Sequence, residues 1–282
     1  MFAAPRLATK ASLHLLRSVA RDRAVRQRES VCVVESIAVL KAALAAPRVA
    51  HVDDLFVSDD SVADLPMLSQ LMARSKSSRV WRVESRASLQ TDVSEPPSLA
   101  AIVHVDPSYF QLDSFASWLQ ATRHERSTVL VLSNLSNPVN VGALLRSAAA
   151  FGAGVIVSGQ QSADVLNSKT VRASAGALFS LGALWVERDE ARVVRELRAA
   201  DYEIAGTVAS RTDSIAVVDL AAVRALPRVA FLLGSEAHGL DAATLERAAV
   251  HVRITTLPCV QSLNVAVAGS LLLHDRFQPP QR

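Results

Sequence analysis

The sequence predicts an α/β protein of two domains. From Val31 onward short β-branched runs alternate with helical stretches, a second alternation starts at Thr128, and the residues between the two series contain no clear strand. At 282 residues and 50% hydrophobic, the chain is long enough to build two cores.

The elements follow in order. The first 28 residues carry Arg6, Lys10, Arg17, Arg21, Arg23, Arg26 and Arg28 against a single acid, Asp22, with Leu13, Leu16 and Val19 on one helical face. Two readings of this stretch stay open. An Arg-rich, acid-poor targeting helix would send a eukaryotic protein to the mitochondrion, with a cytoplasmic location otherwise; the alternative is the first basic helix of the domain. Strands at 31–35, 55–58, 80–83 and 100–105, with helices at 36–46 and 66–74, then complete a first domain over 1–106. The segment 107–127, with Pro107, Tyr109, Trp118 and the charged run 123–126, reads as a linker with a helical piece. Strands at 128–133, 154–159, 182–187, 202–208, 229–234 and 250–254 define a second domain over 128–282. Several are apolar throughout, as parallel strands covered on both faces are.

Composition narrows the function classes. No window approaches about 18 uninterrupted apolar residues, so a membrane role is not expected. Cys32 and Cys259 form no Cys-x-x-Cys pair, and the seven histidines lack metal-ligand spacing, so neither a disulfide framework nor a metal site is expected. The net charge is only +3, but Lys10, Lys41, Lys76 and Lys169 are the only lysines. That arginine bias suits phosphate recognition, and it equally fits a GC-rich genome.

Three clusters put polar residues where a pure core would not. In the first, 133–154, Asn137-Pro138 opens a turn after a strand, Asn140 is a candidate N-cap, and Arg146 sits within an Ala/Leu/Ser helix. A strand, an Asn/Gly turn and a helix start make a ligand-binding edge in an open α/β sheet. In the second, 231–240, a buried strand ends in Gly234-Ser235-Glu236 and the chain resumes at Gly239. Gly-Lys-Ser/Thr is missing after that glycine, so a Walker-type site is rejected, and Glu236 is also explained as a cap. In the third, 251–275, Ser262 is a candidate N-cap for an apolar helix, but one cap does not explain both Ser262 and Asn264.

Together and in this order the clusters resemble the SpoU (TrmH) family of RNA ribose 2′-O-methyltransferases, in the SPOUT superfamily. The motif N-P-x-N-x-G-x-x-x-R-[ST]-A-x-x-F-G is matched by Asn137, Pro138, Asn140, Gly142, Arg146, Ser147, Ala148, Phe151 and Gly152; an intermediate pattern is matched from Lys169 to Phe179. The second motif, L-G-S-E-G-x-G-L, is matched from Leu233 to Leu240 with Ala237 replacing glycine. The third is in register from Ile254 to Val265, with Thr255, Thr256, Pro258 and Gln261 replacing the family residues. Where the family has Glu-Gly after the first strand, the chain has Glu35-Ser36.

The resemblance implies a C-terminal SPOUT domain with a deep trefoil knot, preceded by a small ribosomal-protein-like RNA-binding domain. It implies S-adenosylmethionine as cofactor, held around Gly234, Ile254 and Leu263 with Leu233 and Ser235 beside them, and a dimer, homo- or heteromeric, through the knotted domain. Asn140, Arg146, Glu236, Ser262 and Asn264 are the catalytic candidates. Arg146 is expected near the 2′-hydroxyl or on the neighbouring phosphate, with Glu236 pairing its guanidinium. RNA is the partner, large-subunit rRNA before tRNA, with contacts expected around Arg17 to Arg28 and Arg172. The competing reading is a non-catalytic rRNA-docking module in ribosome assembly, since function lives in the site rather than the fold.

Overall fold

The structure is a computed structural model that describes residues 5–59, 79–91, 95–122, 127–209, 217–257 and 259–277. The helix expected at 66–74, the charged run 123–126 and Pro258 lie outside the described residues. The chain forms two compact units, one of residues 1–107 with 164–180, the other of residues 108–163 with 181–282.

The first unit contains β1 (Arg6–Leu7), β2 (Val31–Val34), β3 (Ala50–Ser58), β4 (Arg79–Val83) and β5 (Leu99–Val105), in the order β1-β4-β3-β5-β2. β5 is antiparallel to β2 and β3, and β4 is parallel to β1 and β3. The basic helix Lys10–Arg21 belongs to this unit. It opens on a reciprocal cap, the Ser12 N–H donating to Thr9 Oγ1 at 3.1 Å and the Thr9 N–H to Ser12 Oγ at 3.0 Å. Leu13, Leu16, Val19 and Ala20 on its apolar face pack with Val33, Phe56, Ala100 and Ile102. Leu16 is fully buried, which contributes about 1.5–3 kcal/mol. Lys10, His14, Arg17 and Arg21 recur at helical spacing on the exposed face. Ser36 caps the helix Ile37–Ala45, its Oγ accepting from the Val39 N–H at 3.3 Å. The neighbouring Glu35, with a side chain only 5% exposed, pairs with Arg172 at 2.7 Å and accepts from Thr91.

Residues 164–180, expected in the second domain, group with the first unit instead. Val165, Leu166, Val171, Leu178 and Phe179 are buried there, and the helix Ser168–Ala173 lies against β2. The buried pair Arg26 Nε to Asp164 Oδ2, at 2.7 Å, fixes the start of the segment. Arg26 Nη1 also donates to the carbonyls of Val19 and Ala20, near the end of the helix Lys10–Arg21.

The second unit is a seven-stranded, all-parallel sheet in the order β10-β12-β9-β11-β6-β7-β8. Its strands are β6 (Ser127–Ser133), β7 (Gly154–Ser158), β8 (Leu184–Glu187), β9 (Glu203–Thr207), β10 (Val217–Asp219), β11 (Arg228–Leu233) and β12 (Val250–Arg253). The expected linker instead contributes the helix Leu112–Ala121 to this core, because Leu112, Phe115 and Leu119 fall on one face and pack with Trp185, Val129 and Val131. The helices Pro138–Ala150 and Val265–Arg276 pack together, and the Ser147 and Ser270 hydroxyls share a hydrogen bond of 2.7 Å between them. The contact is close at Gly269, where a Cβ would meet Leu144 Cδ2 at 2.4 Å and Leu233 Cδ1 at 2.9 Å.

Candidate active site

The carboxyl ends of β6, β11 and β12 present the three motif loops on one edge of the parallel sheet. After β6, the helix Pro138–Ala150 starts on Asn137, whose Oδ1 accepts from the Val139 N–H at 2.9 Å. Asn137 is therefore the cap that Asn140 was expected to be, because proline at the first helical position fixes the start one turn earlier. Asn140, now inside the first turn and only 8% exposed, has its amide free for another use. Its Nδ2 donates to Glu236 Oε1 at 2.6 Å, and its Oδ1 accepts from Asn264 Nδ2 at 3.2 Å.

Asn264 also replaces Ser262 as the cap of the C-terminal helix. Its Oδ1 accepts from the Ala266 and Val267 N–H groups at 2.9 and 3.3 Å, so one end of its amide starts the helix while the other holds Asn140. Ser262 is exposed three residues before the helix and takes no part in this junction.

After β11 the chain turns back sharply. Ser235 and Gly239 exchange backbone hydrogen bonds of 3.0 and 2.8 Å, and a Cβ on Gly234 would meet Gly239 C at 2.1 Å. Glycine at 234 is thus required by the turn itself. Leu233 is 1% exposed with its side chain in the core, so only its backbone is available to a ligand. Ile254 and Leu263 are half-buried; Leu257 and Val260 between them are 74% and 45% exposed.

Three catalytic candidates, Asn140, Glu236 and Asn264, therefore meet, one from each motif. Arg146 does not join them. Six residues along a helix place it about 9 Å up the axis and roughly 240° round from Asn140. It is exposed, without a partner among the described residues, and the expected Glu236–Arg146 pair is replaced by Glu236–Asn140.

A model of the SpoU rRNA methylase family matches residues 127–274. The chain belongs to that family. It is 29% identical over 194 residues to a 23S rRNA (guanosine(2553)-2'-O)-methyltransferase of Bacillus subtilis, covering 68% of this chain and 69% of that one. Two solved structures share the fold over nearly the whole chain. The AdoMet-bound rRNA methyltransferase of Sinorhizobium meliloti has a TM-score of 0.75 at 20% identity, covering 96% of this chain and 95% of that one. The SpoU methyltransferase AviRb of Streptomyces viridochromogenes has 0.77 at 24%, covering 95% and 96%.

The site's residues fit an adenosyl ligand of the kind the family implies: a tight turn at Gly234 with the Ser235 hydroxyl beside it, and half-buried Ile254 and Leu263 as apolar walls. Sequence reasoning missed two buttresses of the β6 edge. Glu190 accepts from Ser133 Oγ, from Asn134 Nδ2 at 3.2 Å and from Thr244 Oγ1 at 2.7 Å, while Asn134 adopts a left-handed φ of +53°. The signal available was Asn134 directly after a strand, where a left-handed asparagine turns the chain.

Proposed function

We infer that the protein is an S-adenosylmethionine-dependent RNA ribose 2′-O-methyltransferase acting on rRNA. The observation that carries this reading is the junction of Asn140, Glu236 and Asn264, which ties the three family motifs together at the carboxyl edge of the parallel sheet. The cofactor supplies a methyl group already activated on a sulfonium, so the protein's part is to position the ribose and handle its proton. Gly234, Ser235, Ile254 and Leu263 hold the cofactor, with Leu233 contributing backbone only. Glu236, fixed by Asn140, faces the reacting groups as a positioned carboxylate, and Ser262 adds a hydroxyl at the mouth of the C-terminal helix. Arg146 anchors the phosphate next to the methylated ribose.

The finer architecture is part of the same proposal. A C-terminal trefoil knot accords with the all-parallel order and with a last helix that returns from β12 to pack beside the helix following β6. Dimerisation through this unit is supported by two exposed stripes on the packed helix pair. Val139, Arg146 and Ala150, with half-buried Ala143 among them, form one; Val267, Leu271 and His274 form the other, with Val139 51%, Val267 50% and Leu271 44% exposed. Arg146 lies in such a stripe, so a second copy docked there receives it in its own site. The exposed Lys10, His14, Arg17 and Arg21 of the first unit suit an RNA backbone.

The test has two parts. Calorimetric titration with S-adenosylmethionine should give saturable heat, and transfer of a labelled methyl group to large-subunit rRNA should follow; no heat up to millimolar ligand sinks the enzyme reading. Mixing inactive Arg146→Ala and Asn140→Ala proteins should restore part of the activity, because a mixed dimer then holds one intact site. No recovery would exclude sharing of Arg146 across the dimer.

A further inference from the structure

A cleft of about 710 Å³ opens across the carboxyl ends of β6, β7 and β8 and the loop after β11. Its volume falls within the range of about 300–1,000 Å³ typical of ligand sites. It lies where the strand order reverses, the chain having run outward from β6 to β7 and β8 before crossing to β9 on the far side of β11. Open α/β sheets bind ligands at that position. Of the residues assigned to the cofactor only Ser235 lines it, and none of the described residues of 254–264, which carry the third motif, does.

The acids of the cleft are spent internally. Glu190 receives three donors, as above. Asp189 caps the helix Glu190–Ala199, accepting from the Ala191 and Arg192 N–H groups at 2.9 and 3.2 Å, and Asp241 accepts from the Thr244 N–H at 2.7 Å. The cations are not spent. Arg188 Nη1 meets only neutral oxygens of Gln160, at 3.2 and 3.4 Å, and the Arg247 guanidinium has no partner among the described residues. The floor is also rigidly built. Asn134 is held in its left-handed conformation by its N–H donating to Ser158 O at 2.9 Å and its Oδ1 accepting from the Gln161 N–H at 3.1 Å. Gly159, at φ +90°, leaves no room for a Cβ, which would meet Asn134 Oδ1 at 2.4 Å. Strain of this kind persists only where the surroundings over-determine it, as at a preorganised site.

We propose that this cleft is a second RNA subsite, taking a nucleotide that flanks the methylated one. Arg188 and Arg247 hold its phosphates, and the side-chain amides of Gln160 and Gln161 contact the base edge. Two guanidinium groups that make no ion pair among the described residues offer forked donors to phosphate oxygens. The proposal rests on the rRNA methyltransferase reading.

The experiment compares the wild type with Arg188→Ala/Arg247→Ala and Arg188→Lys/Arg247→Lys double variants, using a transcribed large-subunit rRNA fragment. RNA affinity is measured across a salt series, S-adenosylmethionine affinity by calorimetry, and methyl transfer by kinetics. The alanine pair should weaken RNA binding at least tenfold and lower the log–log salt slope by about 1.4, at roughly 0.7 per lost phosphate contact. KM for RNA should rise with kcat and cofactor affinity unchanged, and the lysine pair should restore the slope. An alanine pair whose RNA affinity and salt slope stay within twofold of the wild type overturns the subsite. A wild type that binds the fragment but transfers no methyl group counts against the functional reading alone, and the subsite is still decided by the slope.

Discussion

Asn140→Ala separates the roles of the central junction most sharply. The substitution removes the 2.6 Å bond to Glu236 and the 3.2 Å bond from Asn264. In a dry interior a charged and a neutral hydrogen bond would together contribute about 2–4 kcal/mol. Here Glu236 and Asn264 are both exposed, so water replaces the lost partner on each, and alanine is the better helix former. The net loss of stability should therefore be about 1 kcal/mol or less. Catalysis is affected differently, because the same side chain sets where two loops stand relative to each other, and a displacement of about 1 Å near the chemistry can cost on the order of a hundredfold in rate. Denaturant unfolding followed by circular dichroism, beside methyl transfer at saturating cofactor and RNA, reads both quantities. A stability loss above about 3 kcal/mol would show the junction to be a structural brace. A kcat within threefold of the wild type would remove Asn140 from the site.

Other residues give independent tests. Gly269→Ala should destabilise by about 1–3 kcal/mol, since the new Cβ overlaps Leu144 and Leu233; an unchanged denaturation midpoint would mean that the helix contact is looser than the geometry implies. Asp164→Ala strands a buried guanidinium and should cost about 3–5 kcal/mol, whereas Arg26→Met/Asp164→Leu should recover most of it; equal losses in the two would contradict the ion-pair account. Burial, and then the neighbouring His51, hold the His104 imidazole below its usual range, against the opposing pull of Asp53, Asp106 and Glu29. A lowered folded value means that the unfolded chain binds the proton first, so stability should fall as pH drops through the ordinary histidine range near about 6.5. His104→Gln should flatten that dependence in thermal melts at pH 7.5 and 5.5, and an unchanged slope would rule His104 out as its source.

The strands of the second unit were legible because parallel strands buried on both faces are written as apolar runs, and 128–133 and 229–234 each lie within a residue of the observed β6 and β11. The motif residues were legible as types in order, but their partners were not. Spacing could not reveal that Asn140 would take Glu236, because that depends on bringing together chain positions 96 residues apart, whereas the cap at Asn137 follows locally from proline at 138. A helical piece within 107–127 was legible, but its place in the core of the second unit was not, because a short amphipathic pattern beside Pro107 and a charged run looks solvated until its core partner is known. The placement of 164–180 was beyond local pattern altogether, resting on the buried Arg26–Asp164 pair between residues 138 positions apart, on Glu35–Arg172 and on the helix Ser168–Ala173 lying against β2.

That last segment bears on how this chain can be cut and exchanged. Because 164–180 is drawn from the interior of the downstream sequence, no single break separates the two units: a chain beginning at residue 108 would retain Leu166, Val171 and Phe179 stripped of their cover and Asp164 deprived of Arg26. Such a fragment should precipitate or bind chaperones. By the same logic, an exchange at one junction cannot replace the upstream unit cleanly, because residues 164–180 would stay behind with the downstream sequence.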